Sequence, residues 1–128
     1  MMFHRKQGLV AQRFAERRQR EDEAPRLGQQ VPGLLTLRLE LEERSGLLQL
    51  KHVRHVIVGS APALFVVRCS DADCHEGVYD ITWELMRGLR EHKTKFDGEA
   101  ECSGTIGSQQ APCRRVLHFD AVATYALS

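Results

Sequence analysis

The chain has 128 residues, a length that suits one ordinary domain rather than two. Its apolar share of 42% and charged share of 27% are typical of a globular protein, and they exclude a disordered or collagen-like chain. The formal net charge of +1 gives the body of the protein no electrostatic reason to bind nucleic acid.

The chain contains no apolar run of about 18 residues, so the sequence predicts no membrane-spanning helix. The first residues are not followed by the apolar stretch of a secretory signal. We therefore expect a cytoplasmic protein that does not bind a membrane. In the reducing cytosol, cysteines are more often metal ligands than disulfide partners.

The basic charge is concentrated at the start of the chain. Residues 1–20 contain six Lys or Arg against one acid, and residues 8–23 are rich in good helix formers. We expect a short helix or tail there, in which Arg13, Arg17 and Arg20 form one basic face. This face could contact phosphates, or it could simply be the solvated side of the helix. Pro and Gly residues then indicate a linker, so we divide the chain into residues 1–32 and a domain of residues 33–128.

The first half of that domain has the period-two pattern of strands. Residues 34–42 alternate between four inward leucines (Leu35, Leu37, Leu39 and Leu41) and polar residues. Residues 43–46 predict a turn, and residues 47–58 a second strand with a bulge near His52 and Val53. Residues 63–68 predict a buried third strand.

The second half predicts one helix and two further strands. Asp80 suits a helix N-cap, and Ile81, Leu85 and Leu89 share one helical face, with the helix ending near residues 92–93. Residues 94–102 and 117–125 alternate as strands, with a polar loop over residues 104–112. The predicted fold is therefore α+β, with about five strands in a mainly antiparallel sheet that carries one core helix.

The four cysteines carry the clearest chemical signal. Each one lies at or beside the end of a predicted strand, where antiparallel pairing would gather them at one sheet edge: Cys69, Cys74, Cys102 and Cys113. Four thiolates suit a structural Zn²⁺ ion. Unlinked buried thiols and disulfides are the alternatives. His75 could replace one cysteine as a ligand, although a solvent-facing loop residue is the simpler interpretation.

These four cysteines, spread over residues 63–120, give the chain a resemblance to zinc-ribbon-like modules. That class implies a structural metal and a contact with protein or nucleic acid, but no particular reaction. The chain departs from it in two respects, because a helix lies between the two pairs and the second pair is widely spaced. The metal would stabilise loops that a modest core leaves unsupported.

Sequence motifs for zinc-dependent catalysis are missing. His75 and Glu76 are adjacent, which fits neither the H-x-E pattern of zinc deaminases nor, without a second histidine, the H-E-x-x-H pattern of zincins. A cysteine nucleophile, Cys102 or Cys113, with His75 or His118 as its base stays open as an alternative. A closed site of four thiolates leaves no coordination position for a substrate, so we favour a protein that is not an enzyme.

Trp83 falls nearly opposite the apolar face of the predicted helix. An outward tryptophan is typical of a contact surface, and packing beneath the N-terminal segment or against the metal loop is the alternative. The sequence thus predicts an interaction module, an accessory protein or subunit that binds a protein partner. A nucleic-acid- or ribosome-associated protein is the first alternative, and a cysteine- or zinc-dependent enzyme is the second. An open sheet edge would also allow a homo-oligomer.

Overall fold

The computed structural model describes residue 12 and residues 15–45 and 48–127. Strands predominate, and the helices are short. The helices are α1 (residues 15–23), α2 (Leu27–Gln30) and α3 (Thr82–Arg90). The strands are β1 (Leu34–Ser45), β2 (Leu48–Val56), β3 (Val66–Arg68), β4 (Cys74–His75), β5 (Val78–Asp80), β6 (Lys95–Glu101), β7 (Thr105–Ile106), β8 (Ala111–Pro112) and β9 (Val116–Tyr125).

The main sheet has four antiparallel strands in the order β2-β1-β9-β6. Two smaller antiparallel sheets, β3-β5 and β4-β7-β8, lie beside it. The mixed α+β class is confirmed, but the five-stranded sheet is wrong. The predicted third strand leaves the main sheet because the chain around Ala61 and Ala63 bonds to residues 25–27 instead: Leu27 N–H donates to Ala61 O, and Ala63 N–H donates to Pro25 O.

A register shift near the start of β1 changes which leucine enters the core. The pairing of β1 with β9 slips between Leu34 and Thr36. As a result Leu34 is buried, whereas Leu35 is 58% exposed, which corrects the expectation that Leu35 points inward. Beyond the shift the predicted alternation holds as far as Leu41, and the other three leucines of the set are buried. Glu42, which was predicted to face solvent, is only 8% exposed.

The β1–β2 hairpin is longer and more regular than predicted. The register runs without interruption from Leu37 opposite Val56 to Ser45 opposite Leu48, so the expected bulge near residues 52–53 is absent from β2. The strand β1 extends through residues 43–45, where a turn was predicted, and residues 46–47 lie outside the described residues. The side chains of residues 49–55 are all exposed, so no burial requirement imposes a strict alternation on β2.

The core lies between the main sheet and α3. The predicted helical face is confirmed, since Ile81, Leu85 and Leu89 are at most 2% exposed. The helix ends at Arg90, two residues earlier than expected, and His92 adopts a positive φ of 55°. Asp80 is the last residue of β5, and its carboxylate accepts a hydrogen bond from the Thr82 N–H.

Two segments that were expected to be irregular contain ordered structure. Within the predicted linker, α2 places Leu27 and Val31 in the core, each at most 2% exposed. Within the predicted loop over residues 104–112, β7 and β8 form a short hairpin. The division of the chain at residue 32 stays a prediction.

Candidate metal centre

The structure brings the four cysteines together from four strand ends. Cys69 follows β3, Cys74 begins β4, Cys102 follows β6 and Cys113 follows β8. Backbone hydrogen bonds fix these positions: Cys69 N–H donates to Gly77 O, and Cys113 N–H donates to Gly104 O. Two hairpin ends therefore face each other across one small space.

The sulfur positions fit one tetrahedral metal ion. The Sγ atoms of Cys74 and Cys102 are 3.6 Å apart, those of Cys69 and Cys113 are 4.0 Å apart, and all four lie within 4.8 Å of one another. A zinc–sulfur bond length of about 2.3 Å gives a tetrahedral sulfur–sulfur edge of about 3.8 Å. A disulfide would instead need about 2.05 Å, and all four thiols are free. The arrangement is thus compatible with a metal site and excludes disulfides in this structure.

Two glycines allow the backbone to approach the sulfurs. A Cβ atom on Gly77 would come closer than 3.0 Å to the Sγ atoms of both Cys74 and Cys102. A Cβ on Gly104 would collide with Cys74 Sγ and with the backbone of Gly77. Neither glycine has a positive φ, so the requirement at both positions is space rather than backbone conformation.

Hydrogen bonds to sulfur favour the thiolate form at two of the cysteines. Burial raises the pKa of the Cys69 thiol, but bonds from the Asp71 N–H and the Tyr79 hydroxyl help to outweigh it, and the net pKa is lowered. Burial raises the pKa of Cys102 to about 11, partly offset by the Gly104 N–H, which lies 3.4 Å from the sulfur. Burial, followed by the neighbouring thiols, raises the pKa of Cys74. A cation between the four sulfurs would favour the thiolate forms, which burial and the neighbouring thiols oppose.

A buried polar network supports the site from the side of Cys69. Glu43 is only 6% exposed, and its Oε2 accepts hydrogen bonds from the Tyr79 hydroxyl at 3.0 Å and from the Ser70 hydroxyl at 3.0 Å. The Tyr79 hydroxyl also lies 3.8 Å from Cys69 Sγ. The guanidinium of Arg115 is 4.0 Å from the same carboxylate oxygen, so the buried charge has a partner. This network joins β1 of the main sheet to the cysteine loops.

The other predicted site residues lie apart from the four sulfurs. His75 is exposed and does not belong to the cysteine cluster. Trp83 is 71% exposed, with Arg87 stacked 5.4 Å from its ring centroid, so none of the segments that the structure describes covers it. Arg17 and Arg20 lie on α1, half-buried and exposed respectively, while Arg13 lies outside the described residues.

A second group of potential ligands, Asp97, His118 and Asp120, lies on the exposed side of the main sheet. His118 contacts Asp97 at 3.1 Å and Asp120 at 3.6 Å. The register between β6 and β9 places Asp97 directly opposite Asp120, so both carboxylates lie beside the imidazole of His118. The group is therefore a hydrogen-bonded patch of the sheet surface.

The sequence predicts the four cysteines of the cluster but not the residues that surround them. Gly77 and Gly104 each lie two or three residues from a cysteine, a spacing that indicates a tight approach of the backbone. Glu43 carried a weaker signal, because a charged residue that continues the inward alternation of β1 is expected to need a buried partner. Nothing in the sequence connected it to Tyr79.

Comparisons with protein-family models, with curated proteins and with solved structures found no match for this chain. None of the helices in the described part of the chain is long and apolar enough to cross a membrane.

Proposed function

We propose that the chain is a zinc-stabilised, non-enzymatic interaction module, an accessory protein or subunit that binds a protein partner. The observation that carries the proposal is the closed set of four sulfurs, all within 4.8 Å of one another. Four protein thiolates fill a tetrahedral zinc shell, so no position remains for a substrate or a reactive water. Such an ion would contribute to folding rather than to a reaction.

The burial of the thiols also supports a structural role. Cys69, Cys102 and Cys113 are each 8% exposed, and Cys74 is half-buried. A reactive cysteine needs an accessible thiolate beside a base, whereas the described histidines are not among the residues of this cluster.

Trp83 supports the choice of a protein partner. It projects from α3 beside a groove of about 610 Å³, which is also lined by Pro25, Ala63 and Met86. A largely exposed tryptophan beside apolar groups is unfavourable in water and typical of binding hot spots. Arg87 and Arg90 border the same groove and would provide polar contacts at its rim.

The test compares two single substitutions in the metal-loaded protein. Trp83→Ala should abolish capture of a partner from cell extract. Leu35→Ala removes another exposed apolar side chain (58%), one that does not line the groove, and should leave capture intact. Equal capture by both variants would reject the Trp83 surface. Rapid alkylation of any of the four cysteines in metal-loaded protein would argue for an enzyme instead.

A further inference from the structure

The two outer strands of the main sheet, β2 and β6, each pair on one side only. Among the described strands, β2 pairs with β1 alone and β6 pairs with β9 alone. Each therefore presents an unpaired row of backbone N–H and C=O groups. No bulge interrupts β2, whose nine residues keep a continuous register with β1.

The core does not extend over β2. Arg54 is opposite Leu39 and His52 is opposite Leu41 in the β1–β2 register, so both side chains project from the core side of the sheet. Leu39 and Leu41 are buried, but Arg54 and His52 are exposed. Within residues 15–45 and 48–127, no element covers either face of this edge strand, so an added strand would find both faces accessible.

The two open edges carry opposite charge. β2 contains Lys51 and Arg54 and no acid, which gives +2 before its two histidines are counted. β6 contains three acids and Lys95, which gives −2. Its acidic side chains Asp97 and Glu99 are 67% and 57% exposed. Arg54 makes no ion pair with any described residue. It projects from the core side of the sheet, whereas Asp97 and Glu99 project from the opposite side, so Arg54 meets these acids only where the two edges pair in parallel.

From this complementarity we propose that the chain self-associates head to tail, with the basic edge β2 of one copy adding to the acidic edge β6 of the next. Backbone hydrogen bonds would supply the attraction, and the opposite charges would select the pairing. Pairing of β2 with a second β2 would bring +2 against +2 and is disfavoured. The contact uses two different surfaces, so each association leaves both edge types free at the ends of the assembly. This inference goes beyond the proposed function and does not depend on Trp83.

The test uses sedimentation velocity of the full chain over a range of concentrations. The mean mass should rise beyond that of a dimer as concentration increases, because the contact is not closed by a two-fold axis. Raising NaCl from about 0.01 M to about 0.5 M should weaken association by roughly tenfold, since the exposed charge pairs become screened. A monomer at every concentration in low salt would overturn the proposal.

The decisive experiment reverses the charge of each edge in turn. Arg54→Glu with His55→Glu makes the β2 edge acidic, and Asp97→Lys with Glu99→Lys makes the β6 edge basic. Each double variant should be monomeric alone, and an equimolar mixture should associate again. Circular dichroism and a cooperative urea unfolding transition establish that both variants fold. Association that persists in either variant alone, or a mixture that stays monomeric, would show that the two edges do not pair.

Discussion

Substitution of Gly77 tests whether the backbone must lie against the sulfur cluster. In Gly77→Ala the added Cβ would lie 2.5 Å from Cys102 Sγ and would also collide with Cys74 Sγ. Atoms in favourable contact are about 3.5–4.0 Å apart, so one or both sulfurs must move by about 1 Å. Metal–ligand distances tolerate only about 0.2 Å. We therefore expect the variant to lose high-affinity zinc binding.

The size of the effect separates metal loss from simple crowding. Overpacking a core with one methyl group costs about 1–3 kcal/mol. Structural zinc contributes on the order of 10 kcal/mol to folding in small zinc domains, so losing part of it should cost more than crowding does. We expect Gly77→Ala to lower the free energy of unfolding by at least about 3 kcal/mol in zinc. In chelator the loss should be confined to the crowding range.

Urea unfolding with and without zinc measures this difference. Gly59→Ala is the matched control, because a Cβ at Gly59 has no neighbour within 4 Å and its φ is not positive. It should be neutral or slightly stabilising, by up to about 1 kcal/mol. If Gly77→Ala binds one zinc with the stability of the wild type, the sulfurs do not hold the positions described above.

Three further substitutions test the hydrogen-bond network around Glu43, the core beneath α3 and the ion pair between Glu42 and Arg44. Tyr79→Phe removes a hydroxyl that donates to buried Glu43, and should cost about 1–3 kcal/mol in urea unfolding; an unchanged midpoint would show that the network is dispensable. Leu85→Ala, at a fully buried site, should cost about 2–5 kcal/mol by thermal or urea unfolding, and a smaller loss would place α3 outside the core. A hydrogen bond from Arg44 lowers the pKa of Glu42, so its stabilising effect is present above the ordinary glutamate pKa and is lost as pH falls through the folded-state value. Glu42→Gln should therefore be less stable than wild type at pH near 7, and the difference should shrink as the pH falls below the ordinary glutamate pKa. A difference that is constant with pH would contradict this linkage.

Local patterns predicted the parts of the fold in which one face is buried. The alternation of β9 and the i, i+4, i+8 face of α3 both survive, because burial fixes which residues point inward. Exposed β2 carries no such requirement, so its regular register was not visible in the sequence. The shift that buries Leu34 in place of Leu35 depends on pairing with β9, some 90 residues later, and no local pattern reports it.

In the candidate site too, local features could be predicted from the sequence and contacts between distant segments could not. Strand ends marked by the four cysteines were predictable from spacing and antiparallel pairing. The hydrogen bond between Tyr79 and Glu43, which supports the site, could not be predicted in this way. The two residues are 36 positions apart along the chain and lie on different strands. The third predicted strand forms only over residues 66–68 and pairs with β5 outside the main sheet, while segment 61–63 bonds to residues 25–27.

Native mass spectrometry of the intact chain, repeated after acid denaturation, tests the central claim that the four cysteines hold one structural zinc ion. The native protein should be heavier than the denatured chain by the mass of a single zinc ion. Cys69→Ser should abolish that difference, while His75→Ala should leave it unchanged, because His75 lies outside the sulfur cluster. Equal native and denatured masses, with four thiols open to alkylation, would contradict the metal centre and leave the cysteines as core residues.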